Sequence, residues 1–165
     1  IIEIIYQAIL KDSDNLISES LLANVGYIFT DTISVNNGID KTLEKLSPEI
    51  QNNVEWFDGS GLSRYNMIKP KALISILKEI YNSWGLKKIK EIFPNNYIIQ
   101  DKEDFVWGKT GTLKNNHNYS GFIKTKKGRY YIFSIMINHF TSELADVEKS
   151  IADFLVYLNQ NGRIK

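Results

Sequence analysis

The chain has 165 residues, 43% hydrophobic, 12% aromatic and 24% charged, which is the profile of one folded domain rather than a disordered segment. A formal net charge of +1 argues against nucleic acid as a partner, and the lack of cysteine excludes disulfides, thiolate metal sites and a cysteine nucleophile. His117 and His139 have no metal-ligand spacing and read as loop or strand-end residues, so neither metal nor cofactor is expected. No stretch is apolar for long enough to span a membrane, and no signal peptide is legible.

Residues 1–10 are almost uniformly apolar and predict a buried helix or strand. Asp12 and Ser13 break that run. Leu16, Ile17, Leu21 and Leu22 then predict a helix from about Asn15 to Tyr27, for which Ser13 or Asp14 would serve as N-cap. Polar residues 31–37 and Gly38 read as a break before a short amphipathic helix over 41–46, ending near Pro48. Residues 56–66 are turn-rich: Gly59 and Gly61 permit positive backbone dihedrals, while Asp58 and Ser60 can bond nearby amides. Pro70 suits a first helical turn, and Leu73, Ile74, Ile76, Leu77 and Ile80 carry that helix to about Ser83. A second short helix is predicted from Leu86 to Ile92.

Beyond residue 100 the period changes from helical to alternating. Strands are predicted over 105–109, 119–125 and 130–138, with a hairpin turn at 126–129. The lysine-rich strings at 87–90 and 124–127 read as a solvated helix face and a hairpin tip. A closing helix follows over 143–158, with Ile151, Phe154, Leu155 and Leu158 on one face and Ser142 as cap. The fold class is therefore mixed, α/β in the α+β sense: a mainly helical part to about residue 100, then three antiparallel strands and a helix, read together as one domain.

Lys109-Thr110-Gly111-Thr112 at the end of an apolar strand puts a cation, two hydroxyls and a bare stretch of backbone on one edge, which suits an acyl substrate carrying a carboxylate. Ser13-Asp14-Asn15-Leu16, Asp58-Gly59-Ser60-Gly61-Leu62-Ser63-Arg64 and Lys109-Thr110-Gly111-Thr112-Leu113 stand in fixed order. With Ser120-Gly121-Phe122 and Gly128-Arg129, they resemble the C-terminal half of low-molecular-mass class C penicillin-binding proteins, which are serine D-Ala-D-Ala carboxypeptidases and endopeptidases. The resemblance runs from about Ser13 to Leu158.

It implies a penicillin-binding protein/β-lactamase-like transpeptidase fold, with a helical subdomain beside an antiparallel sheet and the site in the cleft between them. By that likeness Ser13 relays a proton to the leaving amine and Asn15 bonds the substrate amide. Lys109 would sit beside Ser13, assist its proton transfer and attract the peptide's terminal carboxylate. Thr110 and Thr112 would bind that carboxylate beside Gly111, and the Thr112 N–H would complete an oxyanion hole. Asp58, Gly59, Ser60 and Gly61 would shape the loop under the cleft. The implied partners are peptidoglycan stem peptides and β-lactams, and the implied location is extracytoplasmic, in the periplasm or cell envelope.

In that family a Ser-x-x-Lys nucleophile motif precedes Ser-Asp-Asn, and residues 1–12 contain no serine. The chain is accordingly expected to lack the acylating serine and its lysine base, with no Ser-x-x-Lys later to replace them. It would then be a C-terminal fragment, missing the N-terminal half and the first strands of the sheet. Such a fragment would be inactive alone, and its uncovered sheet edge would favour self-association. A serine β-lactamase would pair the same motifs with a deacylating glutamate; Glu49 stands at a suitable distance but reads as a solvated residue after Pro48. A peptidoglycan-binding module without chemistry is the alternative from another class.

Overall fold

The computed structural model describes residues 1–162. The chain divides into two compact units, Ile1–Ile76 and Leu77–Lys165.

The first unit holds α1 (Ile2–Leu10), α2 (Asn15–Thr30), α3 (Val35–Leu43), α4 (Pro48–Gln51) and a small antiparallel pair, β1 (Val54–Glu55) with β2 (Met67–Ile68). The apolar opening is a helix, but contrary to expectation none of its residues is fully buried, and Ile2 and Ile4 are exposed. Its main packing partner is α2, which covers one side of a helix whose Glu3 and Gln7 share the opposite, polar side.

Gly38 was expected to break the chain, yet it lies inside α3. The reason is a close helix crossing. A Cβ on Gly38 would sit 2.0 Å from the Leu22 carbonyl oxygen of α2, and one on Gly26 would sit 2.2 Å from the Ser34 carbonyl oxygen. Leu22 and Ile39 are buried at this crossing, which brings the helix backbones together where side chains would hold them apart. The helix therefore starts at Val35, capped by the Ser34 hydroxyl on the Asn37 N–H, rather than at Lys41.

α5 (Pro70–Ile92) is interrupted at Gly85, whose φ of 68° and ψ of 169° are non-helical, in keeping with the two helices expected on either side. In the second unit, β3 (Val106–Leu113), β4 (Asn116–Lys124) and β5 (Tyr130–Asn138) form an antiparallel sheet in that order. α6 (Leu144–Asn161) closes the chain. Its N-cap is Glu143 rather than Ser142. Val147, Ile151, Leu155 and Leu158 of α6 pack on Val106, Tyr119, Ile123 and Phe133 of the sheet. The opposite sheet face meets the segment around the end of α5: Phe93 stacks edge-on against Phe122 at 5.6 Å, and the Lys90 ammonium lies 4.7 Å from the centre of the Trp107 ring.

β3 and β4 reach further towards each other than their apolar residues indicate, so that Lys114 and Asn115 alone form the turn, Asn115 at a φ of 64°. The Lys-Thr-Gly string is therefore inside a strand, not at its end.

Replacing Gly38 by Ala tests the helix crossing. Alanine in an open helix site gains roughly 0.5–1 kcal/mol over glycine, but a methyl driven against the Leu22 carbonyl costs about 1–3 kcal/mol. The expected outcome is a net loss of stability, read as a lower urea midpoint at unchanged slope.

Candidate functional site

Two regions carry the residues singled out from the sequence. In the first unit, the turn between α1 and α2 is tight: the Asp14 N–H donates to the Ala8 carbonyl at 3.0 Å, and Ser13 adopts a left-handed φ of 56°. Asp14, not Ser13, is the N-cap, its Oδ1 accepting from the Ile17 N–H at 2.8 Å. The Ser13 hydroxyl makes no hydrogen bond among the described residues, and both Ser13 and Asn15 are exposed. A non-glycine residue at positive φ carries backbone strain of about 1–3 kcal/mol, a feature concentrated at functional sites.

The loop after β1 is built around two carboxylates. Asp58 Oδ1 accepts from the Gly61 N–H at 2.6 Å and from Asn66 Nδ2 at 2.9 Å, while Oδ2 accepts from the Ser63 N–H at 2.6 Å. Glu19, one turn beyond Asn15 on α2, accepts from the Gly59 and Ser60 N–H groups at 3.1 Å each. Glu19 thereby ties the Asp-Gly-Ser-Gly loop to the helix that begins at the Ser-Asp-Asn turn. Sequence reading did not find it: a glutamate in a helix interior has no local signal for backbone donors some forty positions on.

In the second unit, register decides what each residue of β3 does. Lys109 lies opposite Ser120, which in turn lies opposite Ser134, and the two serines share a 2.9 Å hydrogen bond. Thr110 and Thr112 alternate to the face that α6 covers, opposite Tyr119 and His117. Lys109 is half-buried, and its ammonium donates to the Thr110 carbonyl at 2.9 Å. Burial lowers its pKa below the ordinary lysine range. It forms no ion pair among the described residues, so its charge is not cancelled by a carboxylate.

The Gly108 N–H donates to the Pro94 carbonyl and the Val106 carbonyl accepts from the Asn96 N–H, both on the side of β3 away from β4. By the alternation of an antiparallel ladder, the Thr110 and Thr112 N–H groups point to that same outer edge. At Gly111 and Thr112, which are exposed, the edge is open to a ligand's backbone or oxyanion.

His117, expected in a loop or at a strand end, is the second residue of β4; it is also fully buried, and its Nδ1 is 2.8 Å from Thr112 Oγ1. Burial lowers its pKa, with the Glu148 carboxylate of α6 opposing.

One expectation is corrected outright. Ser75-Ile76-Leu77-Lys78 does have Ser-x-x-Lys spacing. It follows Ser13 instead of preceding it and lies within α5. The Ser75 hydroxyl donates to Glu49 Oε2 at 3.2 Å, and the other Glu49 oxygen meets the Lys71 ammonium at 2.6 Å. Glu49, its side chain still 40% exposed, is thus solvated as expected and in addition engaged by Ser75 and Lys71. Among the described residues no group of His, Cys, Asp and Glu is arranged to hold a metal.

Residues 2–158 match the D-Ala-D-Ala carboxypeptidase 3 (S13) family. The chain is 29% identical over 148 residues to the D-alanyl-D-alanine carboxypeptidase DacB of Haemophilus influenzae, covering 81% of this chain and 31% of that protein. It is similar to the crystal structure of penicillin binding protein 4 (dacB) from Haemophilus influenzae, with a TM-score of 0.79 at 25% identity over 94% of this chain and 39% of that one. The TLA-1 extended spectrum β-lactamase shares the fold, with a TM-score of 0.69 at 18% identity over 96% of this chain and 64% of that one. The chain thus spans about a third of the length of the protein relatives it matches.

The buried imidazole makes stability depend on pH. Because the folded state lowers the His117 pKa, the unfolded chain takes up that proton first as pH falls. The stabilisation is complete above about pH 6.5 and is lost progressively below it. Urea unfolding followed from about pH 7.5 to about pH 5.5 should show a falling midpoint, and His117→Asn should flatten that fall.

Proposed function

Because the chain belongs to the D-Ala-D-Ala carboxypeptidase 3 (S13) family, we propose that it carries the proton-relay and carboxylate-binding parts of a class C penicillin-binding protein. The whole protein would be a serine carboxypeptidase and endopeptidase that cleaves peptidoglycan stem peptides and is acylated by β-lactams outside the cytoplasm. The observation that carries this reading is the Lys109–Thr112 string on an open sheet edge, with its cation uncancelled and its outer N–H groups presented.

Acyl transfer needs a nucleophile, a route for the leaving group's proton and donors for the developing oxyanion. Ser13 supplies the proton route: its exposed hydroxyl hands a proton to the departing D-alanine amine. Asn15, in the first turn of α2, bonds the amide of the penultimate residue. Lys109 draws the terminal carboxylate electrostatically, and Thr110 and Thr112 hold it. The Thr112 N–H faces the carbonyl oxygen as it gains charge. Glu19 ties the 58–63 loop to α2 through two backbone donors, and Asp58 holds the loop's own turn through three more.

The nucleophile is what this chain does not supply. Ser75 has the spacing, but it sits beyond the first turn of α5 and its proton is engaged by Glu49. Glu49, paired with Lys71, is likewise unsuited to deacylating an acyl-enzyme as a β-lactamase requires. Exposed Ile2, Ile4, Leu16, Ile28 and Ile33 give the isolated chain an apolar surface through which it self-associates.

Four measurements test this. Incubated with a fluorescent penicillin, the 165-residue chain should give no covalent band; a band abolished by Ser75→Ala would make Ser75 the nucleophile and overturn the reading. In a full-length protein that carries this chain after an acylating Ser-x-x-Lys, Lys109→Ala should lower kcat/KM by about a hundredfold or more. The activity of that protein should also decline as pH rises through the lowered Lys109 pKa, since the ammonium is the active form. Static light scattering on the isolated chain should give a mass above that of one copy, and a monomer at high concentration would refute self-association.

A further inference from the structure

We propose that His117 is a positioning residue that makes the Thr112 hydroxyl a hydrogen-bond donor to a substrate carboxylate, by giving its own Nδ1–H to Thr112 Oγ1. This deepens the functional reading above and rests on it.

Three observations carry the inference. Thr112 and His117 are register partners across β3 and β4, with Oγ1 and Nδ1 2.8 Å apart. Thr112 is exposed at the open edge, whereas His117 is fully buried and can reach a ligand only through Thr112. His117 Nε2 has no hydrogen-bond partner among the described residues.

A neutral imidazole has one N–H, and it can stand on either nitrogen. With the proton on Nε2, a buried donor goes unmet, and the single hydroxyl proton of Thr112 is spent on Nδ1. With the proton on Nδ1, only a bare lone pair is left at Nε2, and Thr112 keeps its proton to give outward. Buried donors go unmet more rarely than buried acceptors, so the second arrangement is favoured. A doubly protonated ring would place a charge in a fully buried site, which burial opposes despite the Glu148 carboxylate on α6. The buried tautomer thus sets the polarity of a hydroxyl at the surface.

The chain has two histidines, so an imidazole nitrogen spectrum of ¹⁵N-labelled His139→Gln protein reports His117 alone. A protonated Nδ1 with a bare Nε2 is expected, and the reverse pattern overturns the proposal. The second arm titrates the chain with N-acetyl-D-alanyl-D-alanine and with its C-terminal amide, following the Thr112 amide signal. The acid should bind better than the amide. His117→Leu and Thr112→Val should each weaken the acid about tenfold, as expected for loss of a hydrogen bond to a charged group. His117→Asn, whose side-chain N–H can replace Nδ1–H, should restore it. Thr112→Val changes an exposed residue and so separates this effect from misfolding. If the unaltered chain does not prefer the acid, the carboxylate reading of the strand fails and takes this inference with it. If the preference exists but survives His117→Leu, the inference alone fails.

Discussion

The chemistry assigned to the second unit depends on the register of β3 against β4, because a slip of one residue would exchange the lysine and threonine faces. The register is pinned where Gly108 lies opposite Gly121. A Cβ on Gly121 would sit 2.2 Å from the Trp107 carbonyl oxygen, and one on Gly108 would sit 2.9 Å from the Tyr119 ring. No larger residue fits either place. The Tyr119 ring lies over this gap and meets Phe133 edge-on at 5.3 Å, so the core under α6 closes on the one arrangement that points Lys109 the other way. Gly121 belongs to a short string noted in the sequence and Gly108 precedes the Lys-Thr-Gly string, yet their joint role becomes visible only when the strands are paired.

How much was legible follows from which signals are local. The existence of the three strands, the division between a helix to about Ser83 and another from Leu86, and the turn-rich loop could be read from apolar periodicity and, for the loop, glycine placement. The start of β4 could not, since Asn116, His117 and Asn118 are polar and hide the alternation; they are strand residues because they pair with β3 and β5, and of the three only His117 is fully buried. Gly38 reads as a break when judged alone, because only the presence of a second helix turns a glycine into a site of close approach. Ser75-x-x-Lys78 shows the converse: it has the spacing of a catalytic motif, but Glu49, twenty-six positions earlier, already holds its hydroxyl. The Ser-Asp-Asn and Lys-Thr-Gly strings could be found in the sequence, whereas Glu19 and His117, which support their surroundings, could not.

The lysines of the chain illustrate how environment sorts identical side chains. Lys71 and Lys149 are exposed and tied to carboxylates, which stabilise the charge they carry. Lys90 rests on the Trp107 and Tyr130 rings, where its stem and charge serve packing. Lys109 differs from all three: half-buried and given only a carbonyl dipole, it holds its proton less firmly. An arriving anion would therefore gain the full attraction of a charge with no internal competitor.

The left-handed backbone at Ser13 bears on the choice between the two hydroxyl amino acids. Threonine would keep the oxygen, but its branched Cβ is poorly accommodated at positive φ. Glycine would relieve the backbone and lose the oxygen. Serine is the compromise, with the smallest side chain that still carries a hydroxyl. The sharp turn against Ala8 thus restricts residue identity at this position before any substrate is considered.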